Sequence, residues 1–239
     1  MNKKMLLLML ASTSIQLVAM DAPKESKRPR QDDDMQDSRL IDAVIQGRIQ
    51  EVNQLLASGV NVNQRNKNGT SPLQIAAANN YIEILNKLIA AGANVNQISN
   101  QGVTALMRAA LYNNFEVIEQ LIKAGANTNQ ADNEGKTALM FLVEQRSPNQ
   151  EFASAIVNKL IAGGAKINQA NNDGYTALGH AVANSRLTFV KAFIAAGADV
   201  NYKDKGGNTT LKKILTKPIN MYPDLKEIAF ALIDAGARI

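Results

Sequence analysis

The chain has 239 residues, 46% of them hydrophobic and 20% charged, a composition typical of folded soluble proteins that excludes global disorder. It contains no cysteine and one histidine, His180, which excludes disulfides, thiolate metal sites, a cysteine nucleophile and a multi-histidine zinc site. The formal net charge is +5, and residues 38–239 hold 20 basic against 15 acidic side chains, only a weak indication of nucleic-acid binding.

The first twenty residues have the pattern of a secretory signal peptide. Lys3 and Lys4 precede an unbroken apolar run over residues 5–11, which is shorter than the roughly 20 apolar residues of a membrane span. We therefore predict that residues 1–20 direct export to the periplasm or out of the cell, with no stable membrane span. The alternative is an uncleaved N-terminus that is disordered or brushes a membrane, on a protein that stays in the cytoplasm.

Residues 21–37 are predicted to form a disordered linker. They hold six acidic and four basic side chains and too few apolar ones to bury. Within them, Lys27-Arg28-Pro29-Arg30 is similar to a short nuclear localisation signal, although such matches are frequent in charged linkers. The acidic run at 32–34 is interpreted as a solvated charge run, because a disordered segment cannot hold oxygen ligands at fixed geometry.

An internal repeat dominates the rest of the chain. The motif Leu-Ile-x-x-Gly-Ala-x-x-Asn recurs around glycines 59, 92, 125, 164, 197 and 236, at spacings of 33, 33, 39, 33 and 39. A second motif, Gly-x-Thr-Ala-Leu and its variants, keeps the same phase at glycines 69, 102, 135, 174 and 207. A sustained period of this length indicates a solenoid of stacked units. The predicted units are residues 38–65, 66–98, 99–131, 132–170, 171–203 and 204–239.

Each unit reads as two short helices joined by a turn. We expect Ser71, Thr104, Thr137 and Thr176 to cap the first helices with their hydroxyl groups. In the second unit, a helix from about Ile82 to Ala91 has apolar residues at helical spacing and ends at a glycine in the left-handed region. Asparagines at 94 and 96 suit the tight turn that follows.

The two longer units and the two ends depart from this pattern. The 39-residue spacings carry six extra residues between the helices, with prolines at 148, 218 and 223, and are predicted to be loops. The first unit presents a polar outer face, and the last unit carries lysines and an aspartate that let it face water too. These end units are interpreted as caps of the solenoid.

On these motifs the chain resembles ankyrin repeat proteins over residues 38–239. The family pattern D-x-x-G-x-T-P-L-H-x-A-A, followed by E-x-V-x-x-L-L-x-x-G-A-D-V-N, matches most fully in residues 66–98 and 99–131. The resemblance implies an all-α solenoid of about six helix-turn-helix units with short β-hairpin tips. The histidine of the pattern is replaced throughout, which puts the family's threonine–histidine hydrogen bond in doubt. The residues in its place are Gln74, Met107, Met140, Gly179 and Lys212.

The resemblance also implies non-enzymatic recognition of a protein partner, with a host protein as one candidate, by the tips and the first-helix face of a monomer. In this sequence Val103, Leu111 and Tyr112 are expected to face outward together, with Tyr175 two units away. The partner-binding positions selected from the family pattern are Lys67, Asn68, Asn100, Gln101, Val103, Leu111, Tyr112, Asn133, Glu134, Lys136, Asn172, Asp173, Tyr175 and Lys205.

No catalytic, metal or cofactor site is expected. His180 lies in the first helix of the fifth unit and is interpreted as a packing residue, since no second histidine or cysteine accompanies it. No phosphate-binding glycine motif is present. The alternative function is binding of nucleic acid or another acidic surface by a C-terminal lysine patch, although aromatic residues for base stacking are lacking there. That patch comprises Lys203, Lys205, Lys212, Lys213 and Lys217.

Overall fold

The computed structural model describes residues 39–144, 152–216 and 223–239. The predicted signal peptide and linker, the basic cluster at 27–30, Pro148, Lys217 and Pro218 lie outside these ranges. Within them the chain forms paired helices, one pair for each unit. The first helices are α1 (39–45), α3 (Pro72–Ala78), α5 (Ala105–Leu111), α7 (Ala138–Phe141), α9 (Ala177–Ala183) and α11 (Thr210–Leu215). The second helices are α2 (Ile49–Ala57), α4 (Ile82–Ala90), α6 (Phe115–Lys123), α8 (Ala153–Ala162), α10 (Leu187–Ala195) and α12 (Pro223–Asp234).

The helices stack in two layers. Each first helix from α3 onward packs against the first helix of the next unit, and the second helices pack in the same way. Between the layers runs one continuous apolar core, which includes Leu73, Leu106, Leu139 and Leu178. The prediction of an all-α solenoid is therefore confirmed. No helix within the described ranges is long and apolar enough to cross a membrane.

Most of the predicted helix caps form. Ser71 Oγ accepts a hydrogen bond from the Gln74 amide at 3.3 Å, and Thr104 and Thr176 cap their helices through the same kind of bond. The prediction for Thr137 is wrong, because its side chain makes no capping bond. The Met140 amide donates instead to the Thr137 main-chain carbonyl at 2.9 Å, so the first turn closes on the backbone alone.

The tips are tight turns held by one side chain each. In the fourth unit, Asp132 Oδ1 accepts from the amides of Glu134 and Lys136 at 2.9 and 2.8 Å. Asn66, Ser99, Asn171 and Asp204 hold their tips in the same way. Antiparallel pairing in the described ranges is limited to one bridge, between Lys203 and Thr209. The predicted hairpin tips are therefore short turns rather than extended ribbons.

Asparagine side chains tie neighbouring units together at the turn that follows each second helix. Asn96 Nδ2 donates to the Gly125 carbonyl at 3.2 Å, and Asn96 Oδ1 accepts from the Asn127 amide at 2.7 Å. Asn63, Asn129 and Asn201 make the same pair of bonds to the unit after their own. The predicted turn role of Asn94 is also confirmed, since its Oδ1 accepts from the Asn96 amide at 3.0 Å.

Gln74 supplies hydrogen bonds at the position where the family pattern has histidine. Its Oε1 accepts from the Ser71 amide at 2.8 Å, and its Nε2 donates to the carbonyls of Val103 at 2.6 Å and Gln97 at 2.9 Å. The glutamine therefore closes a capping box and bonds to the third unit with one buried side chain.

The two ends of the stack differ in polarity. In the first unit Asp42, Arg48 and Gln54 are exposed, as the prediction of a polar outer face requires. In the last unit the predicted charged residues are joined by exposed Leu215, Phe230, Ile233 and Ile239, so its outer face is only partly polar. Pro223 begins α12 instead of lying in a loop, because proline's fixed φ suits the first turn of a helix.

Candidate functional site

The tips and the outward side of the first helices form a surface that we call the tip–helix face. Eleven of the fourteen predicted partner-binding residues have exposed or half-exposed side chains that do not pack into the apolar core. The other three, Val103, Leu111 and Tyr112, differ from one another in burial. The exposed ones besides Tyr112 are Lys67, Asn68, Asn100, Gln101, Asn133, Glu134, Asn172, Asp173 and Lys205, and the half-exposed ones are Lys136 and Tyr175.

The expected outward cluster in the third unit is reduced to one residue. Val103 is only 5% exposed, so its assignment as an outward-facing residue is wrong. The Val103 amide donates to Ser99 Oγ, and the Val103 carbonyl accepts from Gln74 Nε2. With the backbone in this position, the Val103 side chain lies in the core. Leu111 is half-buried and packs against the core. Tyr112, by contrast, is 47% exposed at the end of α5.

Three exposed tip asparagines also have a structural role that the sequence analysis missed. Asn100 Nδ2 donates to the Lys67 carbonyl at 3.1 Å, Asn133 Nδ2 to the Asn100 carbonyl at 3.0 Å, and Asn172 Nδ2 to the Asn133 carbonyl at 3.0 Å. The amide nitrogens therefore join one tip to the next. These asparagines recur at the same position of successive units, and this recurrence is the sequence feature that could have revealed their structural role.

Arg108 is a second residue that the sequence analysis missed. It lies four residues after the Thr104 cap, on the turn of α5 that precedes Tyr112. Its side chain lines two adjoining cavities of about 210 and 250 Å³, between the tips of the second, third and fourth units. Within the described ranges, its guanidinium makes no ion pair or hydrogen bond.

Lys136 is a cation whose charge is compensated within the face. Its Nζ lies 2.9 Å from a carboxylate oxygen of Glu134 and 2.9 Å from one of Glu144. Burial opposes the charged ammonium, but the hydrogen bonds to both carboxylates outweigh it and raise the pKa of Lys136 above its ordinary value. Lys136 is therefore less available to an anionic partner than Arg108.

Tyr175, Lys213 and Asp204 form a cluster between the fifth and sixth units. Lys213 Nζ lies 3.8 Å from the centroid of the Tyr175 ring, donates to its hydroxyl at 2.6 Å and pairs with Asp204. The hydrogen bond from Lys213 holds the pKa of Asp204 below its ordinary value. Lys213 is thus engaged inside the protein, while Lys203, Lys205 and Lys212 of the predicted lysine patch are exposed.

His180 lies beside this cluster and is half-buried. Its ring is 5.8 Å from the Tyr175 ring in an edge-to-face arrangement, and its Nε2 lies 3.2 Å from Asn171 Nδ2. Burial, with a smaller contribution from the charge of Lys136, lowers the pKa of His180 below its ordinary value of 6.5. These contacts match the packing role that we predicted for this histidine.

We expect this shift to make stability depend on pH near neutrality. The unfolded chain binds the His180 proton more readily than the folded chain, so the free energy of unfolding should fall as the pH drops below about 6.5. Asp204 titrates below its ordinary value of 3.8, outside this window. Thermal unfolding of the natural protein and of His180→Gln between pH 7.5 and 5 measures the effect. Equal pH dependence in both proteins would contradict it.

No group of three or more histidine, cysteine, aspartate or glutamate residues in the described ranges could hold a metal ion.

The comparison with protein families then decides the family. A family model described as Ankyrin repeats (3 copies) matches residues 40–132, 92–153 and 112–204, which together cover more than half of the chain. The chain belongs to the ankyrin repeat family. No curated protein matches it.

Membership in the ankyrin repeat family indicates the general class of function of the protein. Ankyrin repeats are generally protein–protein interaction modules, and the proteins that carry them are typically non-enzymatic. In this ankyrin protein the tip–helix face combines tip residues, an exposed tyrosine and a guanidinium that has no ion-pair or hydrogen-bond partner within the described ranges. Arginine and tyrosine are the side chain types enriched at energetically dominant interface positions.

Proposed function

We propose that this ankyrin repeat protein binds a protein partner, without catalysis, on the tip–helix face of its first four units. The observation that carries the proposal is the pair Arg108 and Tyr112 on one side of α5. They lie one helical turn apart, and within the described ranges neither side chain has an ion-pair or hydrogen-bond partner. A partner with a carboxylate near an apolar group would complement both.

The surroundings of this pair favour a protein ligand. Ile45, Ala78 and Leu111 recur at intervals of 33 residues, at the same position of successive first helices. Because α3 and α5 pack side by side, the half-buried side chains of Ala78 and Leu111 form an apolar stripe that leads to Tyr112. Ile45, at the same position of α1, is 50% exposed. An apolar stripe framed by polar tips has the composition of a protein interface.

A photo-crosslinking experiment tests the location of the interface. Benzoylphenylalanine at position 112 should capture a protein in extracts of the source organism or of cells that it contacts. The same group at Asn86, which is exposed on the second helix α4, serves as the matched control and should not capture it. A partner captured at position 86 but not at 112 would show that the opposite face binds.

Tyr112→Ala should separate binding from folding. Because Tyr112 lies on the surface, we expect the free energy of unfolding to change by no more than about 0.5 kcal/mol. Affinity for the crosslinked partner should fall by about 2 kcal/mol or more if the ring is an anchor. Isothermal titration and urea unfolding of the same samples measure both. A variant that melts much earlier yet binds normally while folded would contradict the assignment.

We further propose that the protein is exported and that the partner lies outside the cytoplasm of the producing cell. The proposal is supported by the two lysines and the apolar run at the start of the sequence. Mature protein should then lack roughly 14–22 N-terminal residues. Intact-mass spectrometry of protein recovered from outside the cytoplasm tests this. Retention of the first twenty residues would overturn it.

A further inference from the structure

A cavity of about 230 Å³ lies between the fifth and sixth units. Val182, Ala183 and Ile214 form its apolar walls, and Tyr175, Lys213 and Asp204 form its polar end. Ala183 and Thr216 at its edge are exposed. They occupy the helix position of Ile45, Ala78 and Leu111, so the cavity opens on the tip–helix face.

This cavity coincides with a missing side chain. The third residue after the helix cap is Gln74, Met107 or Met140 in the three preceding units, and each of these is fully buried. In the fifth unit the same position is Gly179, inside α9. A Cβ there would lie 3.3 Å from Cδ1 of Tyr175, so the absence of a side chain gives the Tyr175 ring its place. Glycine is unfavourable inside a helix, and neither a turn nor a positive φ requires it here.

The hydrogen-bonding groups at the polar end leave donors available. Asp204 Oδ1 accepts from two tip amides, and its other carboxylate oxygen pairs with Lys213. The Tyr175 hydroxyl oxygen accepts from Lys213, so its own proton is free to donate, and the lysine ammonium retains one more N–H. The charges of Lys213 and Asp204 balance each other. A neutral oxygen acceptor therefore complements this end better than an anion does.

We propose that the cavity is a binding pocket for one medium-sized apolar residue, such as leucine, in an extended segment of a protein partner. The side chain occupies the space beside Gly179, and the main-chain carbonyl of the same residue accepts from the Tyr175 hydroxyl. The volume is below the range of cofactor and drug pockets, roughly 300–1,000 Å³, and leaves room for one medium-sized side chain. The peptide source of the ligand rests on the proposed function; the pocket and its chemistry do not.

The test uses the full chain and two matched fragments. N-Acetyl-L-leucine methylamide represents a leucine within a chain, and N-acetylglycine methylamide lacks the side chain. In amide NMR spectra, the leucine fragment should shift signals of Gly174, Tyr175, Gly179 and Ala183 and bind in the millimolar range, as its size allows. The glycine fragment should bind at least about tenfold more weakly. Equal shifts with both fragments would overturn the proposal.

Three variants locate the site. Ala183→Leu fills the edge of the cavity and should weaken the leucine fragment at least about tenfold. Ala195→Leu makes the same change at an exposed alanine of the second helix α10 in the same unit and should have no effect. Tyr175→Phe keeps the ring, loses the hydroxyl and should weaken binding about three- to tenfold. Equal loss in both alanine variants, or tighter binding of Tyr175→Phe, would refute the assigned contacts.

The outcomes separate this pocket from the interface at Tyr112. Absence of fragment binding overturns the pocket even if a partner is captured at position 112. Fragment binding supports the pocket even if no partner is captured there. N-Acetyl-L-leucine, which ends in a carboxylate, should bind no more tightly than the methylamide. Tenfold tighter binding of the acid would overturn the neutral-acceptor assignment. Circular dichroism of each variant establishes that it is folded.

Discussion

Leu106→Ala is expected to lower the free energy of unfolding by about 2–5 kcal/mol, the range for cavity-creating changes in a packed core. Leu106 is 1% exposed in α5, and α5 packs against α3 on one side and α7 on the other. Removing its side chain leaves a void in the apolar core between α5 and the helices packed against it. Urea unfolding followed by circular dichroism measures the loss.

The control for this prediction lies six residues away. Tyr112→Ala removes a larger side chain from the C-terminal end of the same helix, yet should change the free energy of unfolding by no more than about 0.5 kcal/mol. The contrast depends on burial and not on the size of the deleted group. If Leu106→Ala unfolded at the same urea concentration as the natural protein, the placement of the core would be wrong.

Gly102→Ala is expected to destabilise the protein by about 2–5 kcal/mol, because conformational strain and overpacking add. Gly102 has a φ of +77°, and a Cβ on it would lie 2.8 Å from the backbone nitrogen of Asn133 in the next tip. The neighbouring backbone cannot move away without breaking the bond from the Asn133 amide to the Gln101 carbonyl. Thermal and urea unfolding measure the effect.

Gly92→Ala isolates the contribution of strain alone. Gly92 has a φ of +87°, but a Cβ on it would meet nothing within 4 Å. It should therefore cost only about 1–2 kcal/mol, the penalty of the left-handed conformation for a residue with a side chain. Equal losses at both glycines would mean that the contact between tips is not tight.

The sequence predicted those features of the fold that depend on one unit. Helix caps, turn asparagines and glycines at helix ends follow from residues close together in the chain, and the period of 33 repeats each of them. Thr137 is the exception among the caps, since its first helical turn closes on the backbone and leaves the hydroxyl without that role. Local rules identify a residue able to cap but not whether the amide is already bonded.

The candidate site was less predictable because its properties arise between units. Val103 matched an outward position of the family pattern, yet its backbone is held by Ser99 and Gln74, and its side chain is buried. Arg108 gave no signal, because no local pattern shows that its guanidinium forms no ion pair within the described ranges, although Asp132 and Glu134 line the same cavity. The engagement of Lys213 with Tyr175 spans 38 residues, which no local pattern reveals.

The asparagine bonds at the turns after the second helices have a consequence for how order is lost. Each of these side-chain amides bonds only to the adjacent unit, so an ordered unit offers its neighbour one donor and one acceptor in fixed positions. These bonds are lost when the unit frays. Fraying should therefore advance from the two ends of the stack toward the middle. Arg108 and Tyr112 lie in the third unit, which has ordered neighbours on both sides. We therefore expect the proposed interface to lie in the part of the molecule that stays native longest on warming.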